Sequence, residues 1–149
     1  MPVTLTLPDS YAYAGVAILS TFWLSIWQTS KVGHARAKAG IKYPQAYAEA
    51  AQAAASVDAM KFNCVQRAHQ NTLESLPTVI VSTAIAATRY PIFAAVACGI
   101  WVFARVMYTI GYSTGEPSKR NWYKSSMIGN SSTVALLLTA TYTAVKAVL

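Results

Sequence analysis

Three side chains of contrasting chemistry stand at helical spacing between positions 67 and 74. Arg67, Asn71 and Glu74 occupy i, i+4 and i+7, which places a guanidinium, an amide and a carboxylate on one face of an α-helix. Further along, Arg105, Tyr108 and Tyr112 follow the same logic at i, i+3 and i+7 and align a second guanidinium with two phenol hydroxyls. A guanidinium fork matches a carboxylate, an amide matches peptide groups, an acid matches an ammonium, and a phenol donates or accepts. That donor set suits a small zwitterionic peptide. The plainer alternative is that Arg67 or Arg105 pairs with Glu74 and simply holds helices together. His69 lies roughly 200° around the helix from Arg67, which on spacing alone makes it an interhelical hydrogen bonder. Cys64 and Cys98 lack metal-ligand spacing, so no metal is expected and both are read as small buried hydrophobes.

The elements that must position these groups are apolar. Of 149 residues 54% are hydrophobic and only 11% charged, against roughly 25% charged in soluble domains. So little charge cannot cover a water-soluble surface. Two stretches, Ser10 to Ser30 and Ser125 to Val145, carry no charge at all and have the roughly 20 residues that a bilayer crossing takes. Two more are long but interrupted: Phe62 to Thr88 by Arg67, His69 and Glu74, and Ile92 to Tyr112 by Arg105. Turn signals at Arg89-Tyr90-Pro91 and Gly115-Glu116-Pro117 bound them. The expected architecture is one all-α domain over residues 1-149, a four-transmembrane-helix bundle with helices at roughly 10-38, 60-88, 92-114 and 122-147.

The net charge of +7 follows membrane topology better than nucleic-acid binding, because the basic residues flank apolar spans. Lys31, Arg36, Lys38, Lys42 and Lys61 fall in or beside loop one, and Lys119, Arg120 and Lys124 in loop three; the other side holds Arg89 and Lys146. The positive-inside rule then puts loops one and three in the cytoplasm. Residues 1–9 lack a basic n-region, and the first apolar run is too long for an h-region, so it is expected to stay as an anchor. Tyr43-Pro44 sets an extended or turn dipeptide, and Gln45 to Ala55 has high helix propensity.

The strings FNCVQRAHQNTLE at 62–74, FARVMYTIGYSTGEPSKR at 103–120 and ARAKAGIKYP at 35–44 resemble the MAPEG family, membrane-associated proteins of eicosanoid and glutathione metabolism. The branch most resembled is that of the type-3 microsomal glutathione S-transferases. The resemblance implies a homotrimer in the endoplasmic reticulum, with glutathione as co-substrate held between neighbouring subunits near the cytoplasmic side. By similarity to the family's leukotriene-C synthase, Arg36, Arg67, His69, Asn71, Glu74, Tyr108 and Tyr112 would line the glutathione site. His69 falls where that relative has a glutamine, against the reading from spacing alone. The thiol-activating arginine of the family aligns with Lys119, and the adjacent Arg120 is the preferred candidate. The plain alternative for both is an interfacial basic anchor.

The chemistry implied needs a thiolate, since a thiol of pKa near 8.5 is mostly protonated at neutral pH. A guanidinium beside the sulfur favours its anion. The expected function is a membrane glutathione transferase and glutathione-dependent peroxidase, acting on a lipophilic electrophile or lipid hydroperoxide from the bilayer. Leukotriene-C-synthase-like conjugation is disfavoured by two departures: Ser75 replaces an aromatic residue of the synthase, and Ala37 a basic one. A non-catalytic lipid-binding scaffold of the same fold is the second reading, since fold does not settle activity. A small transporter or channel is the third; it would line a pore with the intramembrane charges.

Overall fold

A computed structural model of the chain describes residues 6–149. The expectation about a leader concerned residues 1–9, of which 1–5 lie outside the described residues. Those described form five α-helices and one 3-10 stretch, with no strand.

Helix α1 (Tyr11–Ala39) ends where Gly40 takes the left-handed conformation, φ 67°, and its N–H reaches back to the carbonyls of Ala37 and Arg36. Loop one then holds a single short helix, α2 (Ala50–Ala55), opened by a capping box in which Glu49 and Gln52 satisfy each other's backbone N–H groups. The helix propensity read over Gln45 to Ala55 is thus realised only from Ala50 on. Ser56 ends α2 and caps α3 (Val57–Ala87), its hydroxyl accepting from the Ala59 N–H at 3.3 Å. That cap starts the helix three residues before the expected 60. Three residues later α4 (Pro91–Tyr112) begins with proline at its first position, where the missing N–H has no intrahelical partner to lose. A 3-10 stretch, Pro117–Lys124, leads into α5 (Ser125–Val148) through two non-glycine residues at positive φ, Tyr123 and Lys124. This tight connection delays α5 from the expected 122.

Each of the four long helices packs against at least two others, around a core of small and apolar side chains that includes Ala14, Leu24, Val79, Cys98, Trp101 and Leu136. Cys64 and Cys98 are buried and free. Polar groups are drawn inward. The Gln28 amide, fully buried, donates to Thr72 Oγ1 at 2.9 Å and Thr109 Oγ1 at 2.7 Å, tying α1 to α3 and α4. Ser132 on α5 donates to the Ala97 carbonyl at 2.6 Å. Large apolar residues point outward at helical spacing: Val16, Leu19, Trp23 and Ile26 on α1, and Phe93, Val96, Ile100 and Phe103 on α4. Continuous apolar stripes of this kind are what lipid contact favours and water does not.

By length and composition two segments are apolar enough to cross a membrane: α4, and the stretch Pro117–Val148 that contains α5. Helix α1 is long enough, but the charge-free run from Ser10 is diluted by Tyr, Trp, Ser, Thr and Gln28. A segment without charge need not be strongly apolar. Helix α3 is diluted further by Asp58, Lys61, Arg67 and Glu74.

If the interior amide bridge sets how the helices meet, Gln28→Ala should destabilise the detergent-solubilised protein by about 1–2 kcal/mol. Leu19→Ala on the outward stripe should leave the midpoint near wild type. Thermal unfolding of both, followed by circular dichroism, compares them directly.

Candidate functional site

The helical face read from the sequence is assembled where α3 meets α4. Arg67 Nη1 donates to Glu74 Oε1 at 2.9 Å, two turns along α3, and both side chains are about half exposed. Between them Asn71 accepts through Oδ1 from Arg105 Nη1 on α4, and Arg105 Nη2 donates to Ser75 Oγ at 3.2 Å. Arg105 is buried, with its guanidinium 5.4 Å from the Trp101 ring and 5.5 Å from that of Tyr108. Desolvating a cation is costly unless its donors are used. Here an amide and a hydroxyl accept from the two Nη atoms and two ring faces lie nearby, while Nε has no partner among the described residues. The Ser75 hydroxyl is therefore a working part of the α3–α4 junction.

Tyr108 and Tyr112 are mostly buried and meet edge to face, ring centroids 5.5 Å apart, against Cys64 and Ala68 of α3. The Tyr108 phenol lies within electrostatic reach of Arg105, Arg120 and Arg67. The guanidinium groups of Arg105, Arg67 and Arg120 thus act on this phenol electrostatically, Arg105 from 5.5 Å, against the single carboxylate of Glu74. Such an excess of fixed positive charge favours an anion. His69 is partly buried, and its Nε2 has no hydrogen-bond partner among the described residues.

Arg36 sits elsewhere in the assembly. Buried at the end of α1, it is sandwiched between the rings of Tyr43 and Phe62, at 4.3 and 4.6 Å, and donates to the carbonyls of Gln45 at 2.6 Å and of Ile41 and Ala46 at 3.4 Å. In this arrangement it holds the first part of loop one, where the Tyr43-Pro44 peptide is cis. Asn63 holds the second part: its Oδ1 accepts from the Ala48 N–H at 2.7 Å and its Nδ2 donates to the Ala48 carbonyl at 2.9 Å. The neighbouring Tyr47 is brought within reach of Arg67. Neither Tyr47 nor Asn63 belongs to the spaced triplets; the fold of loop one brings Tyr47 there, whereas Asn63 stands one turn before Arg67 on the same face of α3.

The 3-10 stretch carries Lys119 and Arg120, both exposed. Lys119 Nζ pairs with Glu116 Oε1 at 2.9 Å. Among the described residues Arg120 has no carboxylate partner, the three ion pairs being Lys38–Asp58, Arg67–Glu74 and Lys119–Glu116. The backbone under both residues is held firmly. The Arg120 carbonyl accepts from Ser125 Oγ at 3.0 Å. The Lys119 carbonyl lies directly over Gly111, where a Cβ would collide with it and come within 3.0 Å of the Trp122 Cβ. Gly111 is the gap in α4 into which the stretch docks.

A model of the MAPEG family matches residues 11–144, from the first turn of α1 almost to the end of α5. The chain belongs to the MAPEG family. MAPEG proteins are membrane-associated, use glutathione and generally form trimers. Their number includes glutathione transferases and peroxidases together with members that catalyse nothing. The match spans every MAPEG segment that carries an expected site residue here, from Arg36 to Arg120.

Gly111→Ala should push the stretch off α4. The expected outcome is faster amide hydrogen exchange across residues 117–124 with exchange in the middle of α1 unchanged. Wild-type protection in that stretch would show that the Gly111 gap does not hold it.

Proposed function

We propose that this protein is a membrane glutathione transferase and glutathione-dependent peroxidase: a four-span bundle, assembled as a homotrimer, with loops one and three in the cytoplasm of the endoplasmic reticulum membrane. The observation that carries the reading is the α3–α4 junction, where the Arg67–Glu74 pair stands beside Asn71 and Ser75, both bonded by Arg105, whose guanidinium is 5.5 Å from the Tyr108 ring. Glutathione has two carboxylates and one ammonium, and as a thiolate it carries a further negative charge. On binding, the half-exposed Arg67–Glu74 pair opens. Arg67 takes a carboxylate and Glu74 the ammonium, while Asn71 and the phenols of Tyr108 and Tyr112 bond the peptide groups. Arg36 and His69 complete the site, Arg36 through the loop it holds and His69 through its unpartnered nitrogen.

Arg120, free of a carboxylate, stabilises the sulfur anion, and Lys119 assists from its pair with Glu116. The thiol proton leaves to water. In conjugation the thiolate forms a carbon–sulfur bond and the leaving atom departs with its electron pair. In peroxide reduction the thiolate takes the outer oxygen and releases the alcohol; a second glutathione then gives the disulfide and water. The lipophilic partner has a route of approach. An apolar groove of about 350 Å³, lined by Phe103, Met107, Tyr123 and Ile128 among others, opens on the outer side of the helices beside the stretch that carries Arg120.

A lipid-binding scaffold of the same fold is the second reading, favoured by the outward apolar grooves but not by the cations, amide and carboxylate gathered at the α3–α4 junction.

The assignment is tested by titrating glutathione calorimetrically into detergent-purified protein while following thiolate absorbance in the ultraviolet. Arg67→Ala should weaken binding about tenfold or more, in line with a lost charge-assisted bond of about 1.5–3 kcal/mol. Arg120→Ala should lower turnover more than binding; wild-type kinetics in both variants would remove these roles. A second check is pH. If Arg120 favours the anion, the thiol of bound glutathione titrates below about 8.5, and the rate rises with pH through that lowered midpoint. Arg120→Ala should move the midpoint up, so that the activity lost at neutral pH partly returns in alkaline buffer.

A further inference from the structure

A second cationic site lies at the same end of the bundle, on a different face. Where α1 ends and α3 begins, a cavity of about 460 Å³ is lined by Lys31, His34 and Lys38 of α1 and by Asp58, Lys61 and Val65 of α3, with Trp27 among its apolar contributors. Val65 and Arg67 are two residues apart on α3, roughly 200° around the helix. The cavity therefore lies on another face of α3 than Arg67, the face on which His69 stands one turn beyond Val65.

Its charges are unevenly satisfied. Lys38 pairs with Asp58 at 3.1 Å, while Lys31 and Lys61 have no carboxylate partner among the described residues. Lys31 lies over the Trp27 ring, 5.1 Å from its centroid. The stem of Lys61 is covered by the turn after α4: a Cβ on Gly115, at φ 89°, would come within 2.7 Å of its Cγ. Trp27, Ala35 and Val65 are the apolar residues of its lining. Trp27 follows directly on the outward stripe of Val16, Leu19, Trp23 and Ile26 along α1, so a headgroup in the cavity would have its acyl chains lie against that stripe.

We propose that this cavity binds the phosphate of an anionic phospholipid, with Lys31 and Lys61 as the phosphate-binding cations and the Trp27 ring at the headgroup boundary. A free phosphate would use the same lysines but gain nothing from the apolar stripe. Cytoplasmic leaflets supply such lipids, and each lysine near them strengthens retention by about fivefold.

The probe is phosphatidylglycerol in phosphatidylcholine nanodiscs, with lipids retained on the released protein counted by native mass spectrometry. Wild type should keep phosphatidylglycerol in preference to phosphatidylcholine. K31Q/K61Q should retain it about 25-fold less well, while K42Q/K124Q, which removes equal charge from the same end outside the cavity, should match wild type. Lys31→Gln alone keeps the test readable where the double variant does not fold. Equal retention by all variants overturns the proposal, as does equal loss in the control. Inorganic phosphate is the second arm. If it binds the lipid-free protein with the same lysine dependence and displaces phosphatidylglycerol, the site is one for free phosphate and the lipid assignment falls.

Discussion

The buried guanidinium of Arg105 constrains the rest of the bundle more than any other group. A cation enclosed between helices must have its donors met by groups in fixed places, or the helices separate to let water in. Its partners, Asn71 and Ser75, lie one turn apart on α3, so a single side chain sets both the rotation and the height of α4 against α3. The arrangement of the candidate site follows. With Asn71 turned to Arg105, Arg67 and Glu74 are left on the rim, half exposed and free to meet each other. Tyr108, one turn beyond Arg105, is carried onto Cys64 and Ala68.

Two further polar contacts act on the same principle. The Gln28 amide spans three helices through two threonine hydroxyls, each of which also donates to a carbonyl of its own helix. Hydroxyls used this way leave no donor stranded in an apolar interior. At the loop end, Arg36 and Asn63 perform for loop one what Arg105 performs for the helices, collecting backbone carbonyls into fixed places. Interior polarity and outward apolar stripes together invert the usual plan of a water-soluble bundle.

Much of this was legible from spacing. The triplets at 67, 71, 74 and at 105, 108, 112 meet at one junction because a 3.6-residue repeat fixes a face before any tertiary contact is known. The pairing of Arg67 with Glu74, the plainer reading of the same spacing, forms. What spacing does not reveal is which triplet supplies the partner of the other. Asn71 turned out to bond Arg105 across the junction, and Ser75, marked only as a departure from a relative, shares that task. Arg36 was expected at the site through resemblance, and it collects loop carbonyls, since the closure of loop one over the end of α1 is a tertiary event. Tyr47 is hidden for the same reason, whereas Asn63, one turn before Arg67, lies on the face that the spacing already defines. Helix α1 carries no charge from Ser10 to Ser30, yet its aromatic and hydroxyl side chains leave it outside the two segments that are strongly apolar by length and composition among the described residues.

Gly111 shows how position and chemistry are linked in this fold. A helix end that lies flush against a following loop normally keeps side chains between them. Here the missing Cβ lets the Lys119 carbonyl rest on α4 itself, while Ser125 fixes the next carbonyl, that of Arg120. Both backbones are held while both side chains remain exposed. A basic anchor for lipid headgroups would need no such fixing, because a long side chain finds the interface on its own. A cation that must stand beside one sulfur atom does need it, since electrostatic stabilisation falls away when the charge must be reorganised at each encounter. The backbone beneath Lys119 and Arg120 is therefore fixed while their side chains stay free to meet an anion, which is what the role proposed for them requires.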